Sequence, residues 1–231
     1  MVRKTVILNS NMTSDLKDLK QLRYSICVSG AAAGKTVVGA HDEAVIIGEE
    51  IAKSGHILTT GATIGLPYFA AFGAKQKGGT SIGFSPASSL REHVRKYRLP
   101  HDVFDFINFT GMEYVGRDLY LVQSSDAVIT IGGRIGSLHE FTSALEAHKP
   151  CGILLGSGGT ADIIPELIAK LQPEFGDLVI YDEDPVSLVS RIIAILDKKY
   201  EDIRTQLERD EHWYLKEGLN KTDGATSNRR G

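Results

Sequence analysis

Residues 116–141 read GRDLYLVQSSDAVITIGGRIGSLHEF. A helix pattern ending near Ser125 runs into five apolar residues, AVITI at 127–131, then into the loop GGRIG, then into a second helix pattern that opens at Ser137. A strand with no polar side is one buried on both faces, and such strands alternating with helices make a parallel sheet covered on both sides. The same punctuation recurs outward in both directions. YSICVS at 24–29, HILTT at 56–60, TSIGFS at 80–85, VFDFINF at 103–109, CGILL at 151–155 and DLVIYD at 177–182 are the other strand candidates, with helix patterns between most of them. The alternation predicts an α/β fold, a doubly wound parallel sheet flanked by helices on both faces, in a single domain.

The chain has 231 residues, 42% hydrophobic and 24% charged, enough for one sizeable core. Residues 1–20 read as an N-terminal extension and 21–216 as the folded domain. A helix pattern continues from Asp184 through Leu215, and residues 217–231 have the composition of a disordered tail. A net charge of -3 speaks against a nucleic-acid partner, and the basic cluster REHVRKYR at 91–98 is short enough to be a solvated helix face. Cys27 and Cys151 lie in or beside apolar runs, as buried free thiols of a reducing compartment do, so a cytoplasmic protein is expected. No run approaches the roughly twenty apolar residues of a membrane span, and the N-terminal VRKTVILNS is too short for a signal sequence.

Glycines follow the strands: Gly30, Gly34 and Gly39 after the first, Gly61 and Gly65 after the second, Gly132, Gly133 and Gly136 after AVITI, and Gly156, Gly158 and Gly159 after CGILL. In a parallel sheet these loops share the carboxyl edge, where backbone N–H groups free of a neighbouring Cβ can approach a phosphate. SGAAAGKT at 29–36 has one residue too few between Gly30 and Gly34 for a P-loop, so a phosphotransferase centred on Lys35 is the weakest reading. The seven histidines show no ligand spacing, and no metal is expected.

With these residues in view, the chain resembles the LOG-like superfamily of Rossmann-type nucleotide-binding proteins, often mislabelled "lysine decarboxylase", whose fingerprint is PGGxGTxxE preceded by an arginine helix. Aligned without gaps, Gly132 takes the proline position, Gly133 and Arg134 the first two glycines, Gly136 the third, Ser137 the threonine and Glu140 the glutamate, while Arg117 falls at the catalytic arginine. TTGATIGLPYFAAFGAKQKGGTSIGFSP at 59–86 is similar to the family's glycine turn and GGxxIGxxP segment. AHKPCGILLGSGG at 147–159 resembles the branch that includes molybdenum-cofactor carrier-like proteins. The likeness covers roughly residues 24–200. Three positions depart from the pattern: Gly132, Arg134, and Asp118 where a lysine usually follows the arginine.

The resemblance implies a nucleoside 5'-monophosphate phosphoribohydrolase that cleaves an N-glycosidic bond to free base and ribose 5-phosphate. In that case Gly133, Gly136 and Ser137 hold the phosphate at a helix start, with Arg134 and the glycines Gly30, Gly34, Gly61, Gly65 and Gly132 around the nucleotide. Glu140 then stabilises the oxocarbenium-like centre or positions water, and Arg117 orients carboxylate and substrate. The alternative is a non-catalytic carrier or sensor of a nucleotide or of molybdenum cofactor, a pterin. Neither requires a further cofactor, and the resemblance implies a homodimer or higher homo-oligomer, with the helix of Glu140 near the partner. Plainer readings stand beside these. Ser137-x-x-Glu140 is a capping box pattern, and Arg117 next to Asp118 is a simple ion pair. At about 100° per residue, Val115, Leu119 and Val122 form one stripe with Arg117 opposite, and Leu138, Phe141 and Leu145 form another with Glu140 turned away.

Overall fold

AVITI forms the strand β5, Ala127–Ile131, and all five of its residues are buried. It lies in a seven-stranded sheet with β1 (Ser25–Gly30), β2 (Ile57–Thr60), β3 (Thr80–Ser85), β4 (Phe106–Phe109), β6 (Cys151–Leu154) and β7 (Val179–Asp182). The order is β4-β3-β2-β1-β5-β6-β7, and every pairing is parallel. The computed structural model of the chain describes residues 22–171 and 173–209. The expected extension at 1–20 and tail at 217–231 lie outside them. Arg23–Lys198 form one compact unit; Leu22 and the described residues from Lys199 onward group apart from it.

Between the strands run α1 (Lys35–Lys53), α2 (Leu66–Gln76), α3 (Leu90–Arg95), α4 (Glu113–Gln123), α5 (Ile135–Glu146), α6 (Thr160–Leu171) and α7 (Pro185–Lys199). Alternation along each strand sorts them between two faces. Cys27, Val128, Cys151 and Ile153 point to the face that Leu121, Phe141 and Ile164 of α4, α5 and α6 cover. On the other face α1 and α2 pack against each other and the strands nearby, and Leu188 and Ile192 of α7 lie over Gly152. The sheet is therefore wound in both directions from one point. The chain goes outward from β1 through β2 and β3 to β4, then returns to the other side of β1 as β5, leaving a crevice between the carboxyl ends of β1 and β5.

Two expected strands are trimmed by more than one residue. VFDFINF keeps only its last four residues, because the Val103 carbonyl accepts from the Ser81 hydroxyl and the Asp105 carboxylate accepts from the Ser81 N–H at 2.8 Å and from Lys75 at 2.6 Å. DLVIYD starts two residues late, since Asp177 and Leu178 close the short 3-10 turn Pro173–Leu178. The helix pattern read from Asp184 to Leu215 is divided: after α7 comes a separate helix, α8 (Glu201–Arg209), which belongs to the second unit. No helix among the described residues is long and apolar enough to cross a membrane.

Of the stripe expected on α4, only Val122 is buried. Val115 is 70% and Leu119 50% exposed, while Arg117, Asp118, Leu121 and Val122 face inward. Apolar periodicity assumes that charge belongs in water. Here two opposite charges enter the interior together, and the apolar positions turn outward as a consequence.

Candidate functional site

At the crevice between β1 and β5 lies an open cleft of about 230 Å3. Its walls come from the turn after β1 (Gly30, Ala31, Ala32), the turn after β2 (Gly61, Thr63), Arg117 and Asp118 on α4, and the start of α5 (Arg134, Gly136, Ser137, Glu140). Arg117 and Glu140, 23 positions apart in the chain, thus meet at one place. Gly30, Gly61, Arg134, Gly136 and Ser137 are at the cleft with them. Gly34, Gly65, Gly132 and Gly133 are not among its lining residues.

Two glycines shape the cleft, Gly65 from behind it and Gly61 from its wall. Gly65 has φ +80°, and a Cβ there would run into the backbone of Ala31 and Ala32, so it lets the start of α2 press against the turn after β1. Gly61 is more direct: a Cβ would overlap the Arg117 guanidinium, so this position must be bare for the arginine to cross the end of β2.

Glu140 has 8% of its surface exposed and receives a very short hydrogen bond from the Ser29 hydroxyl. Ser29 points toward α5 because it shares the strand face of Cys27. The capping box reading is therefore overturned. The helix begins at Ile135, after Arg134, two residues earlier than expected, which places Ser137 in the first turn and Glu140 one turn further on, facing the core edge rather than the helix terminus. A comparable cap is found at α3, where Ser89 accepts from the Glu92 N–H at 3.3 Å and Glu92 accepts from the Ser88 N–H at 2.7 Å.

Arg117 is 4% exposed. One terminal nitrogen donates to the Phe84 carbonyl at 3.1 Å, and Nε approaches Asp118 Oδ1 at 3.1 Å. That approach is an ion pair without an aligned hydrogen bond, so Arg117 Nε and Asp118 Oδ1 are both buried with no hydrogen-bond partner. The simple ion pair of the sequence reading exists, but inside the site rather than on the surface. Asp118 also accepts from His139 Nδ1 at 3.0 Å. Burial pushes the Glu140 carboxyl from its ordinary 4.5 up to about 7; Arg117 pulls it down and Asp118 pushes it up.

The helix starts differ in a way that singles out this crevice. α1 and α5, which leave the ends of β1 and β5, have no side-chain cap and no acidic residue in the first turn. α2 shares both features and α4 also lacks a side-chain cap, but each of the other starts is partly answered. Leu66 N–H of α2 donates to the Ala31 carbonyl at 2.9 Å and Pro67 has no N–H; α4 carries Glu113, α6 carries Asp162, and Asp184 accepts from two N–H groups of α7. The start of α5 brings Gly136 and Ser137 to the cleft wall, so its positive dipole end faces the cleft, with Arg134 exposed at the mouth; the first residues of α1 do not line it.

Lys35 is exposed at the first position of α1. Cys27 and Cys151 are buried free thiols. No three His, Cys, Asp or Glu side chains among the described residues are grouped to hold a metal. Sequence reasoning missed Ser29 and Tyr114. Ser29 adjoins Gly30 at a strand end and could have been found from that alone. The Tyr114 ring lies 5.9 Å from the Arg117 guanidinium carbon, a contact that only the coordinates reveal.

The sequence model of the SLOG cluster4 family matches residues 23–189. Among solved structures, the molybdenum cofactor binding protein of the phototrophic bacterium Rippkaea orientalis is 28% identical with a TM-score of 0.63, over 76% of this chain and 99% of that one. The molybdenum cofactor carrier protein of Chlamydomonas reinhardtii is also 28% identical, with a TM-score of 0.58 over 76% and 99%. An uncharacterized protein of Archaeoglobus fulgidus is 37% identical over 103 residues, 45% of this chain and 62% of that relative; the match thus spans less than two thirds of the relative's length.

Proposed function

The chain belongs to the SLOG cluster4 family, and on that premise we propose that it binds a small phosphate-bearing heterocycle, a nucleotide or a pterin, in the cleft between β1 and β5. It is a Rossmann-type, LOG-like protein near the molybdenum-cofactor carrier branch. The observation that carries the proposal is the pairing of the uncapped start of α5 with a buried, incompletely bonded guanidinium at one cleft. A helix start favours an anion by about 0.3–1 kcal/mol, and an arginine fork matches phosphate oxygens. No further cofactor is needed for binding of this kind.

Hydrolysis of a nucleoside 5'-monophosphate at its N-glycosidic bond is the second reading, favoured by the placing of Arg117 and Glu140 in the same cleft. A carboxyl near 7 is half protonated at neutral pH, which suits either proton donation to a departing base or charge stabilisation at the sugar. Calorimetry with AMP, GMP and a pterin monophosphate, run beside chromatography for released base, separates the two. Binding without product supports carriage. Base release lost in Glu140→Ala, with the fold retained, supports hydrolysis, and absence of binding to all three sinks both. We also propose a homodimer through the outer face of α4 and the start of α5, supported by the exposure of Val115, Leu119, Tyr120 and Ile135 there.

A further inference from the structure

We propose that Asp118, held by His139, is a positioning residue that aims Arg117 and sets the charge carried by Glu140. This rests on the cleft being the ligand site. Asp118 is 5% exposed and lies between a cation on its own helix and an imidazole on the next, with Arg117 Nε at 3.1 Å and His139 Nδ1 at 3.0 Å. It lines the same cleft as Glu140. The negative charge of Asp118 beside Arg117 raises the cost of a second negative charge at Glu140.

The surroundings of Glu140 define the charge balance. α4 presents Arg117 and Asp118, β1 presents Ser29 and Cys27, and the loop before α5 presents Arg134. His139, with 35% of its side chain exposed, is the member of the Asp118 network in contact with solvent. When His139 is cationic, it and Arg117 outweigh Asp118, and Glu140 gives up its proton readily. When His139 is neutral, Arg117 and Asp118 cancel, burial decides, and Glu140 keeps its proton to higher pH. Because Arg117 Nε meets Asp118 through charge rather than through an aligned bond, Nε keeps its proton available to an entering anion while a terminal nitrogen stays on the Phe84 carbonyl.

The test is a carbon NMR titration of the Glu140 carboxyl in the ligand-free full chain, its signal assigned by absence in Glu140→Gln. Asp118→Asn should lower the midpoint by about one pH unit or more, since a like charge is removed. His139→Gln should raise it, since a cation that offsets Asp118 is removed. A Glu140 midpoint that stays or rises in Asp118→Asn, or stays or falls in His139→Gln, overturns the proposal. If Asp118→Asn does not fold, His139→Gln at the edge of the site decides the matter alone. AMP calorimetry on the same samples separates the two layers. Midpoints that move as stated without AMP, GMP or pterin binding leave the positioning pair standing and remove the ligand reading. Binding with unmoved midpoints does the reverse.

Discussion

Replacing Glu140 with glutamine tests the electrostatics of the cleft through stability, without any ligand. The carboxyl is pushed from 4.5 to about 7 by burial, so the folded chain holds this proton more tightly than the unfolded one. Below about pH 4.5 the group is protonated in both states and contributes nothing to the difference. As pH rises from there through 7, the unfolded chain releases the proton first, and folding stability falls. The shift of about 2.5 pH units corresponds to about 3 kcal/mol at 1.36 kcal/mol per unit, fully expressed above pH 8. Glutamine keeps the shape, can accept from Ser29, and can donate to Asp118. Glu140→Gln should therefore match the wild type near pH 4.5 and be more stable by up to about 3 kcal/mol at pH 8, measured by urea unfolding with circular dichroism in a buffer free of phosphate and sulfate. A difference that is the same at both pH values, or a variant less stable at pH 8, would refute a desolvated carboxyl at this position.

Gly61→Ala places a methyl group on the Arg117 guanidinium; overpacking of this kind costs about 1–3 kcal/mol, and AMP affinity should fall at least about tenfold, whereas unchanged affinity by calorimetry would remove Arg117 from the ligand. Val115→Asp with Leu119→Asp puts charge on two positions already 70% and 50% exposed, so thermal stability should hold while light scattering after gel filtration shifts to monomer mass. If the wild type already elutes as a monomer, the proposed dimer is wrong. Cys27 and Cys151 are buried, with burial raising both thiols, Cys151 to about 12. Neither should react with a disulfide reagent until denaturant is added, and rapid reaction of the native chain would show that the core around β1 and β6 opens.

The fold was legible because strands buried on both faces leave an unbroken apolar signature, and β3 and β5 have the ends that TSIGFS and AVITI suggested. The pairing of Arg117 with Glu140 was legible only through the resemblance, since nothing in their spacing brings α4 beside α5. Orientation was where the sequence misled. Val115 and Leu119 scored as a core stripe and Arg117 as its opposite, yet the arginine is inside, because Asp118 beside it and the Phe84 carbonyl across from it make burial tolerable. The capping pattern at Ser137 failed for a related reason. A helix that starts two residues early changes which side chain meets the open amides, and Ile135, an exposed apolar residue, gives no sign of being the first helical position.

The open start of α5 at the cleft has a practical consequence. On the proposed reading, a solute anion held at the start of α5 acts as a folding ligand, and at a hundred times its dissociation constant adds about 2.7 kcal/mol to the folded state by mass action. The melting temperature of this protein is then partly a property of its buffer, so a variant measured in phosphate cannot be ranked against another measured in Tris.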